Sequence, residues 1–326
     1  MRRSAGERRL LGGSLLVLIA AAFFGTLGPV SRFAYEAGAT PLAFVAWRAG
    51  IGAVVLGVVL AVLARRGSRL ADLRRVPRRH LVALVVAGVA SAVLNLAIFI
   101  AFERVSIALA LLGFYTYPAM VSVAAAATGR ERLDPARLLA LGLAMAGMAL
   151  VVLGQMDPGG ALRLDFLGLA LSLLAAACQV GYVFAARGGY LSLPSRQATL
   201  LLLLVGEACY LTVAVAIGGL APILAPLGEP AAWPWLLVAG TLGAALPVVL
   251  FQAGVRRIGG VRTSILMLFE PVVGVVLAAL LLAEPLGPGQ VAGGVLVLGG
   301  AALVQRGAGL PAEGMGPALP EPAAEG

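Results

Sequence analysis

The chain is poor in charged side chains, which make up only 12% of its 326 residues. Soluble domains usually carry about 25% charged residues, so most of this chain cannot face water. Lysine is absent, and all 24 basic residues are arginine. Because a P-loop needs its lysine, the sequence excludes ATP hydrolysis by that device.

Histidine and cysteine are also scarce: the chain has one histidine, His80, and two cysteines, Cys178 and Cys209. With no cluster of potential ligands, we expect neither a metal site nor a cofactor. Both cysteines lie in apolar runs and are interpreted as buried hydrophobic residues, not as a disulfide framework. Without HExxH or GxSxG motifs, a membrane-embedded enzyme is the weaker alternative from a different functional class, as is a membrane sensor.

Ten apolar runs are long enough to cross a bilayer, which needs about 20 residues per helix. They cover residues 11–30, 41–64, 81–102, 106–128, 136–154, 166–186, 197–218, 233–254, 262–283 and 288–305. None shows the period-2 alternation of a barrel strand, so each is predicted to be a helix whose backbone groups pair internally. The predicted fold is therefore an all-α integral membrane protein with ten transmembrane helices.

The arginines are unevenly distributed among the segments that join these runs. With the N-terminus inside, twenty arginines lie on the inner side, and only Arg32, Arg104 and Arg163 lie outside. This asymmetry predicts a multi-pass protein of the plasma (inner) membrane with both termini in the cytoplasm. Because the arginines form short clusters beside apolar runs, we expect the lipid bilayer and not nucleic acid as their partner.

The chain matches itself at an offset near 153. Residues 101–118 align with 254–271, and Glu131 and Leu133 recur as Glu284 and Leu286 at the same distances from the preceding proline. Five helices per copy place the second copy in the membrane in the opposite sense, an arrangement typical of secondary transporters. The predicted units are a cytoplasmic segment 1–10, a first repeat 11–154, a second repeat 166–305 and a disordered cytoplasmic tail 306–326.

The repeats resemble the drug/metabolite transporter superfamily, and more narrowly its EamA group. Residues 24–48 resemble the first two helices of that family, and residues 268–286, LFEPVVGVVLAALLLAEPL, resemble its ninth helix. The first repeat departs from the pattern, because Tyr117 precedes Pro118 where an acidic residue is common. The resemblance implies alternating-access transport, with export or exchange of amino acids, related metabolites or drug-like compounds. A sugar-nucleotide or phosphate carrier of the same fold is the closest alternative.

Three charged residues lie well inside the apolar runs, away from their ends, where a charge is expensive and therefore indicates a functional site. Arg48 lies roughly 10 Å below the outer end of its helix, so it either anchors in the headgroups or faces a cavity. Glu207 lies near the midplane, where it either holds a proton or faces water. Glu270 precedes Pro271 and is the strongest candidate, although it could instead satisfy a backbone N–H or pair with a loop arginine.

Weaker candidates are uncharged. The polar residues that could line the pathway are Asn95, Tyr115, Tyr117, Gln179, Tyr182 and Gln252. The alternative for each is a hydrogen bond between helices, worth about 1 kcal/mol. Pro118, Pro247 and Pro271 are predicted to kink their helices, as hinges or to shape a cavity. The fifth and tenth helices carry no internal charge, so we expect them to serve packing, within one chain or in a homodimer.

The arginine asymmetry predicts which loops an impermeant thiol reagent can reach in intact cells. Single cysteines are placed at Gly67, Gly160 and Gly309 in a background lacking Cys178 and Cys209. Only the cysteine at Gly160 should react, because its loop lies outside. Labelling at either of the other two positions in intact cells would overturn the predicted topology.

Overall fold

The computed structural model describes residues 5–68, 70–105, 107–129, 134–154, 165–282 and 286–306. The predicted disordered tail lies outside the described residues from position 307 onward. So do the repeat-matched segment 131–133, Glu284 of the second repeat, and the loop at Gly160 that is used in the labelling experiment.

The predicted all-α fold is confirmed, since the described residues form helices and no strand. The α-helices are α1 (Ala5–Gly25), α2 (Leu27–Glu36), α3 (Pro41–Arg65), α4 (Arg78–Arg104), α5 (Ile107–Phe114), α6 (Tyr117–Ala127), α7 (Pro135–Leu153), α8 (Phe166–Phe184), α9 (Ser195–Ala216), α10 (Ala221–Leu224), α11 (Trp233–Gly240), α12 (Leu246–Ile258), α13 (Gly260–Met267), α14 (Glu270–Leu282) and α15 (Pro288–Arg306). Several begin with side-chain caps: Thr40, Asp134 and Asp165 each accept a hydrogen bond from the backbone of the first turn. Such caps satisfy N–H groups that have no partner within the helix.

The helices have the length and apolar surface of membrane spans. Within the described residues, nine stretches are long and apolar enough to cross a membrane, and Pro288–Val304 is a shorter apolar helix. Large apolar side chains such as Val54, Val123 and Leu280 are more than 60% exposed. In water this surface would be unfavourable, whereas in lipid it is the expected outer face of the bundle.

Three spans are interrupted near their centres. The first breaks at Thr26, between α1 and α2; the fourth breaks at Tyr115 and Thr116, between α5 and α6; the ninth breaks at Leu268 and Phe269, between α13 and α14. The last two breaks are separated by the repeat offset of 153 residues. The first span also continues to Glu36, beyond the predicted end at residue 30, because Pro29 lies in the first turn of a new helix, where its missing N–H is tolerated.

The helices of the two repeats are interleaved and do not form separate bundles. α4 packs against α8 and α9, α1 packs against α12, and α3 packs against α9. One apolar cluster contains Val76, Leu193 and Ile258, beside the loops rich in arginine; we call this side the Arg-rich face. A second cluster contains Ala39 and Ile223, beside the loops at the opposite face. The centre of the bundle therefore lies between two apolar clusters.

An ion pair joins the repeats at the opposite face. Arg104 Nε at the end of α4 lies 3.1 Å from Asp165 Oδ2, which precedes α8. The backbone N–H groups of Gly168 and Leu167 donate to the same carboxylate, and together with Arg104 they lower the pKa of Asp165. Because the side chains of Arg104 and Asp165 are 40% and 33% exposed, the ion pair orients the two helices more than it stabilises them.

α7 and α15, the fifth and tenth spans, approach one another through small residues. An added Cβ at Gly300 would lie 2.6 Å from the carbonyl oxygen of Ala140, and an added Cβ at Gly293 would lie 2.5 Å from that of Gly147. Membrane helices gain little hydrophobic driving force from association, so close backbone approach supplies much of their attraction. These glycines serve packing within one chain; a homodimer remains a prediction.

Substitutions at the neighbouring residues Gly299 and Gly300 test the contact between α7 and α15. An added Cβ at Gly299 would meet nothing within 4 Å, whereas the Cβ of Gly300→Ala would collide with a backbone oxygen of α7. We expect Gly300→Ala to destabilise the protein by about 1–3 kcal/mol, as overpacking does. Gly299→Ala should be neutral or slightly stabilising, because alanine favours helix. The measurement is the thermal unfolding midpoint in detergent, and equal midpoints for the two variants would contradict the packing of α7 on α15.

Candidate functional site

Glu270 lies where two interrupted spans cross. It is the first residue of α14, directly after the break at Leu268 and Phe269. The break between α1 and α2 packs against it, because an added Cβ at Gly25 would lie 2.7 Å from the carbonyl oxygen of Glu270. Only glycine permits this approach. The crossing therefore places a carboxylate and the irregular backbone of two spans together inside the protein.

Two tyrosines of the first repeat face this carboxylate. The hydroxyl of Tyr115 donates a hydrogen bond to Glu270, and Tyr117 lies close enough to interact with Glu270 electrostatically. Both rings are 1% exposed. Tyr117 and Glu270 are matched by the repeat offset, so equivalent positions of the two repeats meet at one point. Tyr117, which replaces the acidic residue common in the family, is thus part of the site itself.

Arg48 supplies positive charge to the same site. Its guanidinium Nη2 donates to Asn95 Oδ1 at 2.5 Å, while Asn95 Nδ2 donates to the carbonyl oxygen of Ser91 at 2.7 Å. The second hydrogen bond orients the Asn95 amide so that its oxygen faces Arg48. The guanidinium is buried, and Glu270 attracts it electrostatically. The hydrogen-bonding partner of Arg48, however, is Asn95, and that of Glu270 is Tyr115.

Sequence reasoning missed two further groups beside Arg48. Tyr35 and Tyr210 both interact with the guanidinium electrostatically, and Tyr210 also interacts with Glu207. The spacing of three residues between Glu207 and Tyr210 puts them on one face of α9, a signal that could have identified Tyr210. For Tyr35, the only signal in the sequence is its position near the end of an amphipathic segment, and that signal is too weak to identify a site residue.

The site is closed on the side of the Arg-rich face. All eight residues of α13 are buried, and α13 packs against α6, α1 and α12. Beyond the break, Val273 and Gly274 of α14 are only half-buried. Glu270 is half-buried as well, although it bonds to the buried Tyr115 and its backbone lies against Gly25. The described helices therefore enclose Glu270 only in part.

Glu207 lies apart from Glu270, in the seam between α9 and α3. Its Oε2 is inaccessible and has no hydrogen-bond partner among the residues that the structure describes. An added Cβ at Gly50 would lie 3.6 Å from that oxygen, so the carboxyl group occupies the notch that this glycine leaves in α3. A charged carboxylate without a partner is costly in such a place, which favours the protonated group.

Gln252 and Tyr182 belong to a different cluster, toward the Arg-rich face. Gln252 is fully buried; its oxygen accepts from the Tyr190 hydroxyl at 2.9 Å, and its amide donates to Thr199 Oγ1 at 2.9 Å. Tyr182 stacks on Phe251 with ring centroids 5.7 Å apart. The structure does not bring these residues to Glu270. Gln252 forms hydrogen bonds between helices, which was the alternative interpretation, whereas Tyr182 makes a ring contact.

Gln179 forms no side-chain hydrogen bond among the described residues and is half-buried on α8. The three prolines all lie beside irregular helix. Pro118 and Pro271 occupy the first turns of α6 and α14, directly after the two repeat-matched breaks, and Pro247 follows a π-helical turn at Thr241–Ala245. Since proline cannot donate a hydrogen bond, each leaves carbonyl groups of the preceding turn without their usual partner.

Comparison with known proteins identifies the family. A profile described as "EamA-like transporter family" matches residues 11–153 and again residues 166–306. A solved structure described as "Crystal structure of protein" resembles the chain with a TM-score of 0.70 and 20% identity, over 91% of this chain and 98% of the other. At that identity the likeness extends to the fold alone. No curated protein matches the chain significantly.

Proposed function

The chain belongs to the EamA-like transporter family, and we propose that it exports a small organic metabolite across the inner membrane by alternating access between its two repeats. The matches cover both halves, as expected for a transporter whose substrate binds between inverted repeats. The interrupted spans that cross at Glu270 support the location of that binding site. Irregular backbone inside a membrane is tolerated where it is buried in protein or lines a cavity.

The substrate class is inferred from one observation. The site contains a guanidinium and a carboxylate, and the nearest hydrogen-bonding partner of each is a neutral side chain. Asn95 bonds to Arg48 and Tyr115 bonds to Glu270, so neither charge is neutralised by a close ion pair with the other. A solute with a carboxylate and an ammonium group would complement both charges. This arrangement supports amino acids and related zwitterionic metabolites as the substrate class, with Arg48 binding the carboxylate and Glu270 the ammonium.

The same observation makes a phosphate-type carrier less suitable. Phosphate and nucleotide groups are best bound by several cations, whereas Arg48 is accompanied at this site by the carboxylate of Glu270. A polyanionic substrate would therefore meet repulsion as well as attraction. We therefore propose a zwitterionic substrate and not a polyanionic one.

The driving force we propose is a proton gradient acting through Glu207. In the described part of the chain its Oε2 has no hydrogen-bond partner, and Tyr210 interacts electrostatically with both Glu207 and Arg48. Gain or loss of a proton at Glu207 would thus change the electrostatic field at the Arg48 guanidinium, because the Tyr210 ring lies between the two groups. With the Arg-rich face in the cytoplasm, closure by α6 and α13 corresponds to an outward-facing state in which the substrate would be released.

The test of substrate class compares metabolites inside and outside cells that overexpress the protein with those of cells that lack it. Export of amino acids or related zwitterions predicts that such compounds accumulate in the medium of the overexpressing cells and within the deletion cells. Enrichment confined to phosphorylated compounds would contradict the proposal.

Glu270→Gln tests the carboxylate of the central site. It should lower extracellular accumulation of the exported compound at least about tenfold, because a charge-assisted hydrogen bond of about 1.5–3 kcal/mol is lost. Thermal stability and membrane insertion should remain near wild type. The matched control is Glu36→Gln, which removes the same charge from an exposed position on α2. A fall in folded protein proportional to the lost activity would instead assign Glu270 a structural role, and full activity in a well-folded variant would exclude both roles.

Glu207→Gln tests proton coupling. Glutamine has nearly the shape of the protonated acid but cannot release a proton, so the variant should fold and should still exchange solute at equal pH on both sides. Transport driven by a pH gradient in proteoliposomes should be abolished. Gradient-driven transport that survives unchanged would show that Glu207 only packs against Gly50.

A further inference from the structure

The segment between α3 and α4 is the most basic part of the chain. Residues 65–79 contain seven arginines and one acidic residue, Asp72. The substrate site does not use this segment, and a topological signal alone does not require it to be ordered. We call residues 65–79 the basic shelf.

The basic shelf is held in place by the second repeat. Gln197, near the start of α9, bonds to both backbone groups of Ala71: its Oε1 accepts from the Ala71 N–H at 2.9 Å, and its Nε2 donates to the Ala71 carbonyl oxygen at 2.8 Å. Val76 is buried in the apolar cluster of the Arg-rich face. Two fixed points five residues apart therefore determine where the intervening side chains lie.

The side chains between these points, and Leu70 directly before them, are exposed. Leu70 and Leu73 are 43% and 41% exposed, next to the exposed arginines Arg74 and Arg75. Apolar and basic side chains exposed together at the ends of two spans match the membrane interface, where apolar groups enter the lipid and cations meet the headgroups. An aqueous surface would favour neither leucine.

The positive charge of the shelf is largely uncompensated. Asp72 pairs with Arg75 at 3.5 Å, and its other oxygen accepts from the Arg74 backbone N–H at 3.0 Å. Within the described part of the chain, no acidic side chain pairs with Arg74, Arg78 or Arg79, all of which are exposed. Clusters of arginine directly beside membrane spans attract anionic lipids electrostatically.

We propose that the basic shelf binds the headgroups of anionic phospholipids, of which phosphatidylglycerol is the test case, with Leu70 and Leu73 inserted among the lipid chains. The shelf joins α3, which carries Arg48, to α4, which carries Asn95, and through Gln197 it contacts α9. Bound lipid therefore fixes the ends of three helices that contribute to the site. The binding itself does not depend on which solute is transported, or on transport at all.

The test uses the full chain in nanodiscs of phosphatidylcholine alone or mixed with phosphatidylglycerol. Anionic lipid should raise the thermal unfolding midpoint by about 3 °C or more, and high salt should reduce that shift. Arg74→Gln/Arg78→Gln/Arg79→Gln should reduce the shift while leaving the midpoint in phosphatidylcholine alone unchanged. The control Arg8→Gln/Arg9→Gln/Arg257→Gln removes three exposed arginines elsewhere and should retain it.

A second variant separates charge from folding. Arg74→Lys/Arg78→Lys/Arg79→Lys keeps the positive charge and should keep the lipid-induced shift. The proposal is overturned if phosphatidylglycerol does not shift the wild-type midpoint, if the two glutamine variants lose the shift equally, or if the lysine variant loses it. Because the readout is unfolding, failure of the transport proposal would leave this result unaffected.

Discussion

The need to pair every backbone group away from water governs this structure. Lipid offers no hydrogen bonds, so a helix can be interrupted only where protein or an internal cavity receives the freed groups. At Thr26 and Thr116 the hydroxyl group donates to the carbonyl oxygen three residues earlier, and the N–H groups of Leu268 and Phe269 donate to the carbonyl oxygens of Ile265 and Leu266. Gly25 also lets α1 approach the backbone of Glu270. The break at Tyr115 and Thr116 contributes the hydroxyl that bonds to Glu270. Three irregular segments that would be costly alone thus become the centre of the molecule.

Burial of charge follows the same logic. Arg48 and Glu270 come from different repeats, and each has a neutral hydrogen-bonding partner at close range. A fully neutralised ion pair would have little reason to bind a solute, whereas an isolated charge would be prohibitively expensive. A charge that has a neutral hydrogen-bonding partner, with the opposite charge nearby, is intermediate between an ion pair and an isolated charge in its cost of burial. Such an arrangement keeps the charges stable in the absence of substrate and leaves them available to it.

Packing between the helices depends on glycine more than on apolar area. Gly293 and Gly300 bring α15 into backbone contact with α7, and Gly50 leaves the notch that Glu207 occupies. In water, burial of large side chains would dominate such contacts, but lipid chains are as apolar as leucine. The glycines at these contacts are therefore required for the close approach of the helices.

The sequence alone determined the number of spans, the all-α class, the family and the two repeats, because hydropathy and residue order are properties of the chain itself. It also identified Arg48, Glu207 and Glu270 as candidate site residues, because their position inside an apolar run can be read from the chain without knowing their neighbours. Only the tertiary structure decided which polar residues meet. Gln252 and Asn95 looked alike in sequence, yet one is saturated by Tyr190 and Thr199 and the other bonds to Arg48. That difference depends on how each helix is rotated and which neighbour it contacts. Hydrophobic periodicity is too weak to specify this rotation in helices that are apolar on nearly every side.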